Sequence, residues 1–202
     1  MTAMTSQPNE RPGLSPALAA LRAATQALHA DLDRRSPLSR ALTHADYLDH
    51  AERVLGWMRP LEQSLWPLWP DVDDARSRRG KCQWLLDDLH AGARSTDAVP
   101  DCPAAPIANG LAEAFGIAYV AEGATLGGRV LYKRLKASLE PMPLRWLQGY
   151  GEHTGERWSA FQRLLAEHVT SDADIALAQA AAVRAFASFR DWVLDAAPAE
   201  PA

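Results

Sequence analysis

Apolar positions along this chain recur at helical rather than strand spacing, and alternating β-branched runs are absent. Ser15-Pro16 places a capping side chain ahead of a proline at the first helical position, so a helix is predicted from there to about Arg35. Its apolar stripe carries Leu21, Leu28 and Leu32. Thr43, with Asp46 three residues on, opens a second helix that Pro60 is expected to end. A third is predicted from about Val72 to Leu89, with Trp84, Leu85 and Leu89 on its apolar face. Three prolines among polar residues make Gly92 to Pro106 a loop. A long apolar helix follows from about Ile107 to Ala121 and is expected to continue, bent, through Gly123, Gly127 and Gly128 to Leu139, where Pro141 and Pro143 stop it. Glu152 to Glu167 forms the next helix. Ser171 caps the last, which reaches Leu194 with Phe186, Phe189 and Val193 inward. The expected fold is all-α, a single-domain bundle of six or seven helices over residues 14–195. A disordered lead-in, 1–13, and a flexible tail, 196–202, flank it.

Composition narrows the picture. The chain has 202 residues, 48% of them hydrophobic and 23% charged, which is ordinary globular usage and enough for a sizeable core. A net charge of −4 supplies no basic field for nucleic acid or an anionic membrane. No apolar run approaches the roughly 18 residues of a membrane span, and Met1 to Gly13 lacks the apolar region of a signal peptide. Cys82 and Cys102 form neither a disulfide framework nor a metal-binding pair, so a reduced, cytoplasmic protein is expected.

Two segments point to chemistry. Glu122 to Gly128 holds three glycines inside a strong helix pattern, each costing about 1 kcal/mol relative to alanine. Close helix packing or a C-cap would account for them. A bare backbone laid against a flat ligand would do so too. The segment is not G-x-G-x-x-G and follows no strand, which excludes a dinucleotide fingerprint. In the first helix, Arg22 and His29 share a face, and Asp33 lies one turn beyond His29. A metal-binding imidazole usually donates its other N–H to such a carboxylate. The plain alternative is a core histidine beside a salt-bridging arginine. Asp87 and His90 form one D-x-x-H pair, but His44, His50, His153 and His168 supply no second pair, as a di-iron bundle would need. The seven tryptophans read as packing, and Arg78-Arg79 as a solvated face.

These residues together resemble the heme oxygenases, in particular the bacterial, biliverdin-producing branch. The motifs are Leu21-Arg-x-x-Thr-x-x-x-His29 and Tyr119-Val-x-Glu-Gly-x-x-Leu-Gly-Gly128. Arg79 with Leu86-Asp-Asp-Leu89, Tyr150-Gly-x-x-x-Gly-x-x-Trp158-x-x-Phe161 and Ala185-Phe-x-x-Phe189 add to them, so the likeness spans about Leu14 to Leu194. The resemblance implies a heme b, at once substrate and cofactor, between the first helix and a bent distal helix. His29 would be the proximal iron ligand, with Asp33 behind it. Gly123, Ala124, Gly127 and Gly128 would form the distal wall. Arg22 and Tyr119 would meet heme propionates, with Arg78 or Arg79 a further propionate partner and Thr125 a helper in proton delivery. Dioxygen (O2) would be directed at a meso carbon of the heme, giving biliverdin, carbon monoxide and ferrous iron. The chain has no flavin or nicotinamide fingerprint, so electrons would come from an external donor such as a ferredoxin or its reductase. A bacteriophytochrome is one candidate acceptor of the bilin, and iron release is the other purpose. Two departures matter: Ala124 stands where bacterial relatives often carry serine and mammalian ones an aspartate that anchors water, and Gln26 occupies the other plausible position for a basic residue near the proximal histidine. A non-catalytic heme carrier and a heme-oxygenase-like di-iron oxidase are the competing readings.

Overall fold

The computed structural model describes residues 14–36, 38 and 42–194, so the lead-in and tail expected at the two ends lie outside the described residues. Eight α-helices follow in order: α1 Pro16–Arg35, α2 His44–Leu65, α3 Val72–Arg78, α4 Lys81–Ala91, α5 Leu111–Leu135, α6 Arg145–Gln148, α7 Thr154–His168 and α8 Asp172–Phe189. Short 3-10 turns at Trp66–Leu68 and Gly151–His153 and a π-helical turn at Arg190–Leu194 complete them. There is no strand among the described residues, so the fold is the all-α bundle.

Local chemistry sets the starts. Ser15 Oγ accepts from Leu18 N at 3.2 Å, and Ser171 Oγ from Asp174 N at 3.1 Å. Thr43 and Asp46 exchange both bonds of a capping box, at 2.8 and 3.2 Å.

The differences from expectation have physical reasons. Pro60 does not end α2, which runs on to Leu65. A proline lacks the N–H that would bond the carbonyl four residues back. Here that carbonyl, Gly56 O, accepts from Cys102 N of the following loop at 2.9 Å. The loop lies so close that a Cβ at Gly56 would come 2.3 Å from Pro100 O. The helix expected over Val72 to Leu89 is two, because Gly80 takes φ +112° and turns the chain between α3 and α4. The long helix begins at Leu111 and ends at Leu135, with Gly116, Gly123, Gly127 and Gly128 inside it. The four residues of α6 carry no readable period.

The core is assembled around α5. It packs along α8 and also against α6 and α7, while α1 lies across α8. The α8 face consists of Ala178, Ala181, Ala182 and Ala185, all fully buried. Small residues let the axes approach closely. A Cβ at Gly116 would sit 2.1 Å from Ala178 O, so the crossing tolerates no side chain. Trp69, Phe115 and Phe161 fill the space beside it, with the Trp69 and Phe115 rings 4.5 Å apart.

Gly116→Ala is expected to destabilise the fold by about 1–3 kcal/mol, because backbone rather than a flexible side chain must yield. Urea unfolding reads this directly. An unchanged midpoint would show that the crossing has slack.

Candidate functional site

A cleft of about 510 Å³ opens between α1 and α5, within the roughly 300–1,000 Å³ usual for small-molecule sites. α2, α6 and α8 contribute to its wall through Trp57, Trp146, Leu147 and Phe186, and Leu131 of α5 adds to this largely apolar lining. Set into that surface are Arg22, His29 and Asp33 from α1, His50 from α2 and Tyr119 from α5.

His29 is 62% exposed at the cleft, its ring edge-on to Phe186 with centroids 6.0 Å apart. Its Nδ1 lies 3.1 Å from Asp33 Oδ2. An exposed pair of this kind adds little to stability. Its consequence is orientation: an acceptor at Nδ1 favours the tautomer with the proton there and leaves the Nε2 lone pair available to a ligand. Nε2 has no protein partner among the described residues. Arg22 is exposed on the same helix face and likewise has no protein partner among them. Tyr119 is half-buried, its ring 5.9 Å from that of Trp158.

Gly123, Gly127 and Gly128 of α5 separate into two kinds. A Cβ at Gly123 or at Gly127 would meet nothing within 4 Å. The two lie four residues apart, on one face of the helix, and both line the cleft with Ala124. Gly128 also reaches the cleft, but a Cβ there would press to 3.2 Å from Leu147 O. Close packing against α6 accounts for Gly128, and bare backbone beside an open cleft accounts for the other two.

Three residues expected at the site do not line the cleft. Arg78 is fully buried, its guanidinium donating to Asp74 at 2.5 Å and to Glu122 at 2.9 Å. Arg79 is exposed in a separate depression with Arg59, Glu62 and Cys82. Thr125 is buried and donates to Glu122 O at 2.7 Å. Arg78 is thus held in a buried ion pair and Arg79 lies on another surface, so neither lines the cleft. Asp87 accepts from Gln83, His90 is exposed, and no group of three or more His, Cys, Asp or Glu gathers as a metal site among the described residues.

Sequence reasoning missed what holds the wall in place. Glu122, 1% exposed, accepts from Arg78, from Lys81 Nζ at 2.7 Å and from Tyr150 OH at 3.0 Å. Lys81 Nζ also donates to Tyr150 OH at 2.8 Å and to Arg78 O at 2.9 Å. Burial acts to lower the Lys81 ammonium, but Glu122 and Tyr150 beside it outweigh that and hold it above its ordinary value. Burial pushes the Tyr150 hydroxyl up to about 12, so it stays a neutral donor. This network clamps α5 at the residue before Gly123. Asp88 does the same for α6: it accepts from Arg145 N at 2.7 Å, Trp146 N at 2.9 Å and Tyr47 OH at 2.5 Å. The Asp-Asp pair inside Leu86 to Leu89 was visible in the sequence, but nothing there reveals which backbone it caps.

His50 was also passed over, because it was weighed only as one of a metal pair. It is 7% exposed, and its Nδ1 has no hydrogen-bond partner among the described residues. Burial first, and the Arg53 charge second, push its imidazole down to about 4. In the unfolded chain it titrates near 6.5. As pH falls the unfolded state therefore takes the proton first, so this contribution is full above about 6.5 and is lost down to about 4. The loss is about 3 kcal/mol at 1.36 kcal/mol per unit. In urea unfolding at neutral pH and near pH 4, the wild type should lose more stability between the two than His50→Leu does, by about that amount. Parallel curves would contradict the assignment.

No curated protein matches the chain in comparison. Against models of protein families, residues 15–195 match that of heme oxygenase. That match spans nearly all of the described chain, over the helices that build the cleft, and on it the protein belongs to the heme oxygenase family.

Proposed function

We propose that this protein opens heme at a meso carbon, consuming dioxygen and electrons from a partner, and releases biliverdin, carbon monoxide and ferrous iron. The observation that carries the reading is one cleft lined both by a histidine with a free Nε2 and by a helix face without side chains. The residues fit the group. His29 would ligate the iron, with Asp33 fixing its tautomer. Gly123 and Gly127 would admit a flat ring against the α5 backbone. Arg22 and Tyr119 would meet its carboxylates at the rim, one as a cation and the other as a hydroxyl donor. When bound, heme supplies the iron that activates dioxygen and the carbon that is oxidised. The chain's own part is to orient that ring, to exclude bulk water with the apolar lining, and to keep α5 fixed through the Glu122 network.

The external donor in this reading is a ferredoxin or its reductase in a bacterial cytoplasm. The product would serve either a bilin acceptor such as a bacteriophytochrome or iron release. No described helix is long and apolar enough to cross a membrane. One observation favours a second reading, a heme carrier without turnover: Ala124 brings a methyl group to the cleft where relatives resembling this chain place a hydrogen-bonding side chain.

Adding heme and then reductant in air, followed by absorption spectroscopy, tests the choice. A Soret band that gives way to biliverdin absorbance is the expected result, and His29→Ala should abolish both the native ferrous spectrum and turnover. Heme that binds and persists would make the carrier reading the correct one.

A further inference from the structure

Three indoles line the cleft, those of Trp57, Trp146 and Trp158. The Trp57 N–H is satisfied, donating to Ser188 Oγ at 3.0 Å. Trp158 is half-buried, its ring 5.9 Å from that of Tyr119. Trp146 differs from both. It is 7% exposed, yet its N–H has no protein partner among the described residues. Nor is that nitrogen sealed inside the protein, as Trp66 Nε1 is, so it keeps a face toward the cleft. An indole N–H can only donate. A donor left unmade in an apolar wall is costly, so Trp146 calls for an acceptor that a ligand brings.

The two ends of the cleft are unlike. Arg22 and Tyr119 mark one. At the other, Arg134 of α5 donates to Leu38 O just beyond α1, and Leu38 and Leu131 line the wall. From Tyr119 to Gly128 α5 rises about 13 Å. At Gly128 it packs against Leu147, the chain neighbour of Trp146. Trp146 therefore belongs to the apolar half, away from the rim where carboxylates would sit. Its backbone N–H donates to Asp88 at 2.9 Å, so the ring is held out from a fixed turn. Heme offers nothing to a donor in that half. Its four nitrogens hold iron, and its only oxygens are the carboxylates assigned above to Arg22 and Tyr119. The opened ring is different, because loss of a meso carbon leaves a carbonyl oxygen on each of the two carbons that flanked it.

We propose that Trp146 recognises the open-chain product: its indole N–H donates to a terminal carbonyl oxygen of a linear tetrapyrrole, a contact that the closed ring cannot make. The inference rests on the heme reading above and extends it from substrate to product. The cleft then holds product more tightly than substrate at one atom. That atom comes from α6, so the motif around the glycines of α5 would not report it.

The test uses the full chain without heme and two diamagnetic probes. Biliverdin is open and carries the carbonyls, whereas zinc protoporphyrin is closed and lacks them. In protein with nitrogen-15-labelled tryptophan, the Trp146 Nε1 resonance should move downfield on adding biliverdin and stay near its free position with zinc protoporphyrin. The signal is assigned by correlation within its own residue, so this readout needs no variant to fold. In parallel titrations, Trp146→Phe should lower biliverdin affinity about fivefold and change zinc protoporphyrin affinity by less than about twofold. Biliverdin that binds without moving the resonance, or fails to bind the wild type, overturns the proposal. Equal losses of affinity for the two probes would also overturn it and mark Trp146 as packing alone. The heme reading fails separately, when the wild type takes up no heme or holds it intact with reductant in air.

Discussion

The closest approach of α5 to α8 sets the geometry of everything else. At Gly116 the two backbones meet with no room for a Cβ beside Ala178 O. Gly123 and Gly127 follow seven and eleven residues later, near two and three helical turns, so all three share one stripe of α5. The stripe is closed at Gly116 and open at the other two. Its open part faces the cleft that Phe186 of α8 and His29 of α1 also line. Fixing the helix at the closed end therefore fixes which bare backbone the open end presents. The same residue type does opposite work at the two ends, admitting a neighbouring helix at one and leaving bare backbone open to the cleft at the other.

Rotation about the α5 axis is further restrained by charge. Burying Lys81 and Glu122 is expensive in isolation, and their attraction offsets the loss of water only because each has further partners. Tyr150, Arg78 and the Arg78 carbonyl provide them. Such a network contributes position more than net stability. Because Glu122 immediately precedes Gly123, that position passes directly to the cleft wall. Asp88 gives α6 a comparable anchor by capping its first N–H groups, which places Trp146 and Leu147. The α1 wall is simpler: one helix period brings Arg22, His29 and Asp33 to the same face.

What could be read from the sequence follows from how local its cause is. The caps at Ser15, Thr43 and Ser171 involve residues three apart, and all three form where expected. The His29–Asp33 contact spans one turn and was legible for the same reason. Pro60 misled because its missing bond is made good by Cys102, forty-two residues away, which no local pattern encodes. Arg78 misled in the same way: its salt bridge to Glu122 crosses from α3 to α5, and the sequence shows only an arginine pair on a polar stretch. The glycine segment was legible as a cost without a visible compensation. Only the structure separates Gly128, compensated by packing on α6, from Gly123 and Gly127. His50 was hidden most thoroughly, since what sets it apart is a buried Nδ1 without a partner among the described residues.

The central claim is that the open side of α5 exists for a flat ligand rather than for packing. Gly127→Leu tests it most directly, by measuring unfolding free energy and heme affinity on the same preparation. A Cβ at this position meets no protein atom within 4 Å, so the fold should be retained. Stability should rise slightly, by about 0.5–1 kcal/mol, as a glycine leaves a helix interior. Heme affinity should fall by about tenfold or more, equivalent to at least about 1.4 kcal/mol of lost binding. Unchanged heme affinity in a folded Gly127→Leu protein would contradict the account.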